Sequence, residues 1–537
     1  MKKKLVNIFL LSAIVLTGCG GQENLDFSNL KGQVISVMRG PSVNHYAASR
    51  FLDQASMGPS PSSVAQIKAQ GIDKWISTQL ILPPTKIITP VNLPNYDPNL
   101  DKPAAQRMYD FYRLNLYNFF VGGEDQLRIR TSWVLSNFLV VSERKVNPYG
   151  TLEYLNLLQA NAFGQYGDLL RALIRSPSMG YYLDSIGNSR YQLNENFGRE
   201  LMQLFSIGLI QLNLDGTPKR DINGKILETY NQKDVIEITR ALTSWIPAPS
   251  EKKLPNGNHA NFGKQMVEHP CCHDPDAKSF LGRTIPAGQD AYKDMESIVE
   301  ILVNHPNTAP FVSMRLIQGM TTSDPSPAYL KRVATVFKDT NGNLGKVVTA
   351  ILTDPEARNS DSSSNFVPKF GRIKEPFLIY TSGFRGLGCK LAVRRTDQPE
   401  QVHQSLTQPP FYAYSVFNFY PPNHRTQGTN ILAPEQKMLT SIEFARRMSF
   451  FYSAFEDESA LNEAGCEVTT FKTAQNESLD KLIALMNERF FRGALPSNVA
   501  VSIKESLGDY KQWNKGLRIT GSILDMASIT PAFGVSE

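Results

Sequence analysis

Apolar residues recur along most of this chain at helical spacing, and polar, Pro-rich or Gly-rich breaks separate the stripes. In Asn194–Leu209, the residues Phe197, Leu201, Leu204, Phe205 and Gly208 lie on one face of a helix, and Asn194 is suited to cap it. The same reading predicts helices over about 46–57, from Ser60-Pro61 to about 80 with a break near Gly71, and over 104–120, 124–145, 152–163, 166–176 and 231–245. Further helices are expected over 289–304, 307–319, 327–338, 343–353, 371–387, 434–455, 476–490, 496–506 and 510–526. Residues 81–103 and 390–433 read as long loops, and 247–287 as irregular. One stretch breaks the helical period. Leu214-Asp215-Gly216 and Ile222-Asn223-Gly224, flanked by Ile210, Leu212, Ile226 and Tyr230, predict a small β-hairpin excursion over 210–230. The chain carries no repeat of fixed period. The expected fold is all-α and multi-helical with that one β excursion.

The first residues follow another logic. Lys2, Lys3 and Lys4 precede an apolar run, Leu5 to Leu16, too short to span a bilayer, and Leu16-Thr17-Gly18-Cys19 closes it. This reads as a bacterial lipoprotein signal. Residues 1–18 are the expected leader, Cys19 the lipidated first mature residue, 19–43 a polar tether and 44–537 the helical body. Two lobes, about 44–250 and 288–537 joined by an irregular segment, are one possible division of that body. Gly20 after Cys19 favours the outer membrane, with the body facing the periplasm or the cell surface. The membrane itself, reached through the lipid, is the first expected partner.

Composition adds limits. The 537 residues are 41% hydrophobic and 20% charged, which is ordinary for a globular protein. The formal charge is +6, and the three leader lysines supply half of it, so no nucleic-acid partner is expected. No Gly-rich phosphate loop follows a strand-like run, and no cofactor is indicated. With Cys19 lipidated, Cys271, Cys272, Cys389 and Cys466 remain, and an oxidising compartment predicts two disulfides. Adjacent Cys271 and Cys272 are each expected to reach a distant partner.

Several side chains could carry chemistry. Asn196, Arg199, Glu200 and Gln203 share a helix face beside the apolar stripe. Glu200 is the candidate acid/base, Arg199 the group that orients an anion, and Asn196 and Gln203 binding groups. The competing reading is structural, with Glu195 and Arg199 forming an i,i+4 pair worth about 0.2–0.5 kcal/mol. Asp184 is either a binding carboxylate or a turn residue. His259, His269, Cys271, Cys272, His273 and Asp274 cluster in sequence, but without Cys-x2-Cys spacing, and no metal site is expected. Within that cluster His273 and Asp274 form a candidate proton-transfer pair, with Lys278 as a binding group, against the alternative of a packed loop histidine. Asp339 to Asn343 resembles a calcium loop but has Leu344 where Gly and Ala350 where Glu are required, so a helix-to-helix turn is expected. The aromatic residues of 408–424 either stack on sugars or a partner, or plug the core.

Taken together, several segments resemble one family. They are His45–Gly58, Tyr182-Leu183-Asp184, Asn194–Leu201 with Leu204–Gly208, Ala241–Trp245, His273-Asp274 with Lys278 and Leu281-Gly282, Ser415–Tyr420, and Ala433-Pro434-Glu435. The chain resembles the bacterial domain-of-unknown-function-1800 family of secreted and envelope proteins over nearly all of its mature length. The resemblance implies an envelope location, a largely helical fold and genetic proximity to sulfatase-like secreted proteins, a possible second partner. One departure stands out. Where many members carry Trp-His-Asn-His, this chain has Leu135-Ser136-Asn137-Phe138, so both imidazoles are missing. Two functions stay open: a scaffold or partner-binding lipoprotein, and an envelope hydrolase or modifying enzyme acting on a polysaccharide or other polymer.

Overall fold

Helices begin where the sequence supplies an acceptor side chain followed by proline. Ser60-Pro61, Asn147-Pro148, Ser176-Pro177, Ser326-Pro327 and Asp354-Pro355 each open a helix, and each Ser, Asn or Asp side chain accepts a backbone N–H of the first turn. Proline fits there because it has no N–H to leave unsatisfied and its φ is already helical. The computed structural model describes residues 43–87, 102–249, 261–362, 370–392, 399–509 and 516–536. The expected leader, Cys19, the tether up to residue 42 and His259 lie outside them. Val43–Glu537 forms one compact unit.

The described residues are mainly helical, as the apolar periodicity implies. Among them, three two-stranded antiparallel ladders are present: Trp245–Ile246 with Val267–Glu268, Lys278–Phe280 with Arg283–Ile285, and Arg372–Ile373 with Val535–Ser536. The 210–230 excursion consists of two linked turns joined by isolated bridges, Ile210 with Glu228, Leu212 with Pro218 and Arg220 with Ile226. Asp215 and Asp221 each accept backbone N–H groups across their own turn, and Gly216 and Gly224 take the left-handed φ the turns require. No helix among the described residues is long and apolar enough to cross a membrane.

The helix Gln126–Phe138 is the hub. It is buried from Gln126 to Ser136 and packs against the helices His45–Ala55, Ile72–Ile81, Pro148–Asn161 and Thr308–Met320. Each of Leu127, Ile129, Trp133 and Leu135 contributes about 1.5–3 kcal/mol by leaving water. A helix buried all round must also satisfy its polar groups. Arg128 donates to the carbonyls of Gln159 and Leu82, and Arg130 to that of Gly319. Gly319 lies against Val134, where a Cβ would strike the valine methyls, so the two helices cross at closest approach.

Tertiary bonds revise several expected boundaries. The hub helix stops at Phe138 instead of running to 145, because Ser142 donates to the carbonyl of Ala413 and the Glu143 N–H to that of Phe411. The helix expected over 194–209 covers Asn196–Gln203, and Ile207 and Gly208 both turn back to the carbonyl of Met202. Glu195 takes the cap position, although Asn194 still accepts the N–H of Asn196. The 390–433 loop contains a helix, Pro399–Ser405, and 434–455 is broken into a 3-10 turn and two short helices. The cysteine expectation is corrected too. Cys271 and Cys272 bond to each other in the turn closed by Cys272 N–H to the carbonyl of His269. Cys389 bonds to Cys466, beside Lys390 and Leu391 donating to the carbonyl of Ala464.

Candidate functional site

The residues of the polar helix face separate into distinct contacts. Arg199 pairs with Glu195 at 2.8 Å and also donates to Gln232. Asp184, in left-handed backbone, pairs with Lys145 at 2.5 Å and accepts from the Asn196 amide at 3.2 Å. Glu200 differs from both. Its Oε2 is buried without a hydrogen-bond partner, and burial raises its carboxyl above the ordinary range against the pull of Arg199. The same half-buried spot, with burial first and the Glu200 charge second, pushes the Tyr182 hydroxyl up to about 12.

The second cluster is a closed polar core. His273 presents Nδ1 to the Thr243 hydroxyl at 3.1 Å and Nε2 to Asp294 at 3.1 Å. Lys278 pairs with Asp294 at 2.6 Å and donates to the carbonyl of Asp274. Asp274 turns away to Arg240 at 2.7 Å. Burial works to raise the Asp274 carboxyl, but Arg240, the Asp276 amide and Lys278 overcome it and hold it below the usual range. Among the described residues, no hydrogen bond or ion pair joins Glu200 to His273. Next to this core, His269 Nδ1 lies 3.0 Å from Cys271 Sγ, and the ligand atoms of His269, Cys271 and Cys272 fall within 4.8 Å of one another. Joined to each other, the two sulfurs are not thiolate ligands; as free thiolates the trio would offer a soft metal ion three ligands.

A cavity of about 380 Å³ lies elsewhere, where segments far apart in sequence meet. Asn137 and Phe138 come from the end of the hub helix, Gln203 to Gly208 from the end of the central helix, and Val416 to Asn423 from the aromatic loop. The walls are mainly apolar, with Leu212, Phe311, Met314 and Leu330 among them. Phe138, at one of the two missing-imidazole positions, is part of that wall. Ser136, at the other, donates to the carbonyl of Trp133 and is buried. The aromatic loop divides between its two expected roles: Phe411 is buried, whereas Tyr414 and Phe417 are exposed, and Arg144 stacks over Tyr412 and Tyr414.

A charged network supports the cavity from behind. Glu375 accepts from the Trp133 indole at 2.9 Å, from Arg372 at 3.0 Å, and from the Tyr420 hydroxyl. Arg372 also pairs with Glu435 at 2.9 Å. Burial works to raise the Glu375 carboxyl, but Arg372, Tyr420, Arg130 and the indole outweigh it and hold it below the ordinary range. Asn137 bridges this network to the loop, donating to Glu375 at 3.3 Å and accepting from Asn418 at 2.8 Å. Of the sequence candidates, Gln203 faces the cavity from the polar helix face, and Phe417 and Tyr420 face it from the aromatic loop. Arg315, which also lines it, was not among the candidates, although it is the single charge in the helix Thr308–Met320.

The profile of a family described as proteins of unknown function, DUF1800, matches residues 50–534. The chain belongs to that family, as the segments around His45–Gly58, Asn194–Leu201 and Ser415–Tyr420 suggest. No curated protein and no solved structure matches it.

Proposed function

We propose that this protein is an outer-membrane lipoprotein, anchored through Cys19, whose helical body binds a ligand or partner rather than transforming one. One observation carries this reading. The hub-helix end, the central-helix end and the aromatic loop meet around an apolar cavity that no acid–base pair lines among the described residues, while His273, Asp274, Asp184 and Arg199 are taken up in ion pairs or hydrogen bonds. Protein sites that fix a ligand are mostly apolar concavities with few polar groups, and this one is of ordinary size for them. A polysaccharide or a sulfatase-like neighbour remains a proposed partner of the outer surface, where Tyr412 and Tyr414 are exposed.

The runner-up is an envelope hydrolase with Glu200 as its acid/base. The buried, unpartnered Oε2 and the raised carboxyl favour it.

Native mass spectrometry of the lipoprotein purified from its own membrane separates the two. Under the binding reading, the wild type carries a small-molecule adduct, Glu200→Gln keeps it, and Met314→Trp, which fills the cavity from a half-buried wall position, loses it while retaining the wild-type melting profile. A wild type without any adduct overturns binding. Polymer turnover that disappears in Glu200→Gln establishes the hydrolase instead. For the anchor, palmitate label must enter the wild type and not Cys19→Ser.

A further inference from the structure

Among the described residues, Arg315 is the only charged one lining the cavity. Its Nη1 donates to Gln318 Oε1 at 2.8 Å and to the carbonyl of Pro422 at 3.4 Å, and its guanidinium lies over the Phe311 ring at 5.1 Å. All of these partners are neutral. No carboxylate forms an ion pair with Arg315 among the described residues. Burial pushes its pKa down to about 10, so it keeps its charge at neutral pH. A cation held in apolar surroundings by neutral acceptors alone is incompletely compensated, and an incoming anion gains from it a planar, two-pronged hydrogen-bonding partner.

The remaining lining groups narrow the ligand. Asn137 and Tyr420 are committed to Glu375 and Asn418, and Gln203 accepts from Tyr230 at 3.3 Å. A sugar ring would bury several hydroxyls against groups that have few bonds left to offer. Asn423 adds one further polar side chain, which is exposed, and the rest of the wall is hydrocarbon. It continues to the surface through Leu209 and Phe417, which are 55% and 42% exposed. An apolar chain can therefore enter without crossing a polar barrier. If each heavy atom takes about the 30 Å³ that a water occupies in the liquid, a cavity of about 380 Å³ holds about twelve of them, the size of a ten-carbon carboxylate.

We infer that this cavity binds a single-chain anionic amphiphile, with its carboxylate on Arg315 and its hydrocarbon along Phe138, Leu212, Phe311, Met314 and Leu330. The inference rests on the binding reading and gives it a ligand class.

The test uses the full-length lipoprotein in phosphatidylcholine nanodiscs, irradiated with decanoate that carries a terminal diazirine. Adducts are mapped by peptide mass spectrometry. The expected result is labelling of the peptides that line the cavity, competed by excess decanoate and not by decyltrimethylammonium. Arg315→Gln should lower that labelling about tenfold, the loss expected for a charge-assisted hydrogen bond, while Arg315→Lys retains most of it. The competition is read on the wild type and so does not depend on how the variants fold. Equal competition by the cationic amphiphile, labelling away from the cavity, or undiminished labelling of folded Arg315→Gln overturns the inference. If decanoate fails but the native adduct is present and lost in Met314→Trp, binding stands and the anionic class falls. If both are absent, both fall.

Discussion

The ammonium of Lys278 stands 2.6 Å from the carboxylate of Asp294, and neither side chain reaches solvent. Removing one member strands the other in the interior, where an uncompensated charge costs about 3–5 kcal/mol. Lys278→Met should therefore destabilise the protein by about that amount, and Lys278→Met with Asp294→Asn by clearly less than the two single changes added. Urea unfolding of the four proteins measures the cycle. A Lys278→Met midpoint equal to that of the wild type would contradict the structural assignment of this core.

Cys389 and Cys466 close a loop with a sequence separation of 77 residues. In the chain-entropy account, a cross-link of that span stabilises the fold by about 4–5 kcal/mol. Replacing both with Ser should lower the thermal midpoint substantially, and reductant should lower the wild type to the same value. Equal midpoints for oxidised wild type and double variant would show that the bond contributes nothing.

Asp525 accepts the N–H groups of Phe451 and Tyr452 at 2.7 and 2.8 Å. Burial nevertheless pushes its carboxyl up to about 7, because the two backbone donors only partly offset desolvation. The folded state then holds this proton more tightly than the unfolded state does. The contribution to stability is therefore full below about pH 4 and declines as pH rises toward about 7. The stability of the wild type relative to Asp525→Asn should fall across that interval and level off above it. A difference that is flat with pH, or that grows as pH rises, would refute the assignment.

At the crossing of Thr308–Met320 with the hub helix, Gly319 leaves no room for a Cβ beside Val134. Gly319→Ala must push the helices apart or force a rotamer, at a cost of about 1–3 kcal/mol despite the gain in helix propensity. Gly319→Ala with Val134→Ala should recover part of that loss in denaturant melts. Additive effects would mean that the two positions do not touch.

Much of the helical fold was legible because its signals are local. Ser60-Pro61 marks a start, and Gly71 a break, whatever surrounds them. The turn at Asp339–Asn343 was read correctly for the same reason, with Asn343 capping the helix that follows. The errors lie where distant segments compete for the backbone. Apolar Val140 and Val141 extend the hub-helix pattern, yet the 408–424 loop takes the hydrogen bonds of Ser142 and Glu143. For the site, Gln203 could be found from its helix face. Arg315 could have been found as a lone charge among apolar residues, but only the fold shows that it has neutral partners. Likewise His273-Asp274 reads as a proton relay in one dimension, and Asp294, 21 residues away from His273, turns it into a buried ion cluster.

Asp53 is held by Lys374 at 2.8 Å and by Arg492 at 2.9 Å, and its carbonyl accepts from Ser536 at 3.3 Å. The last of these contacts spans 483 residues. At about 5–20 residues added per second, the ribosome needs roughly 25–100 seconds to make that much chain. The helix His45–Ala55 therefore waits for all of that chain before this contact can close, although its packing on the hub helix needs far less. Until that contact forms, any step that needs this end of the chain loosely held has the interval in which to act.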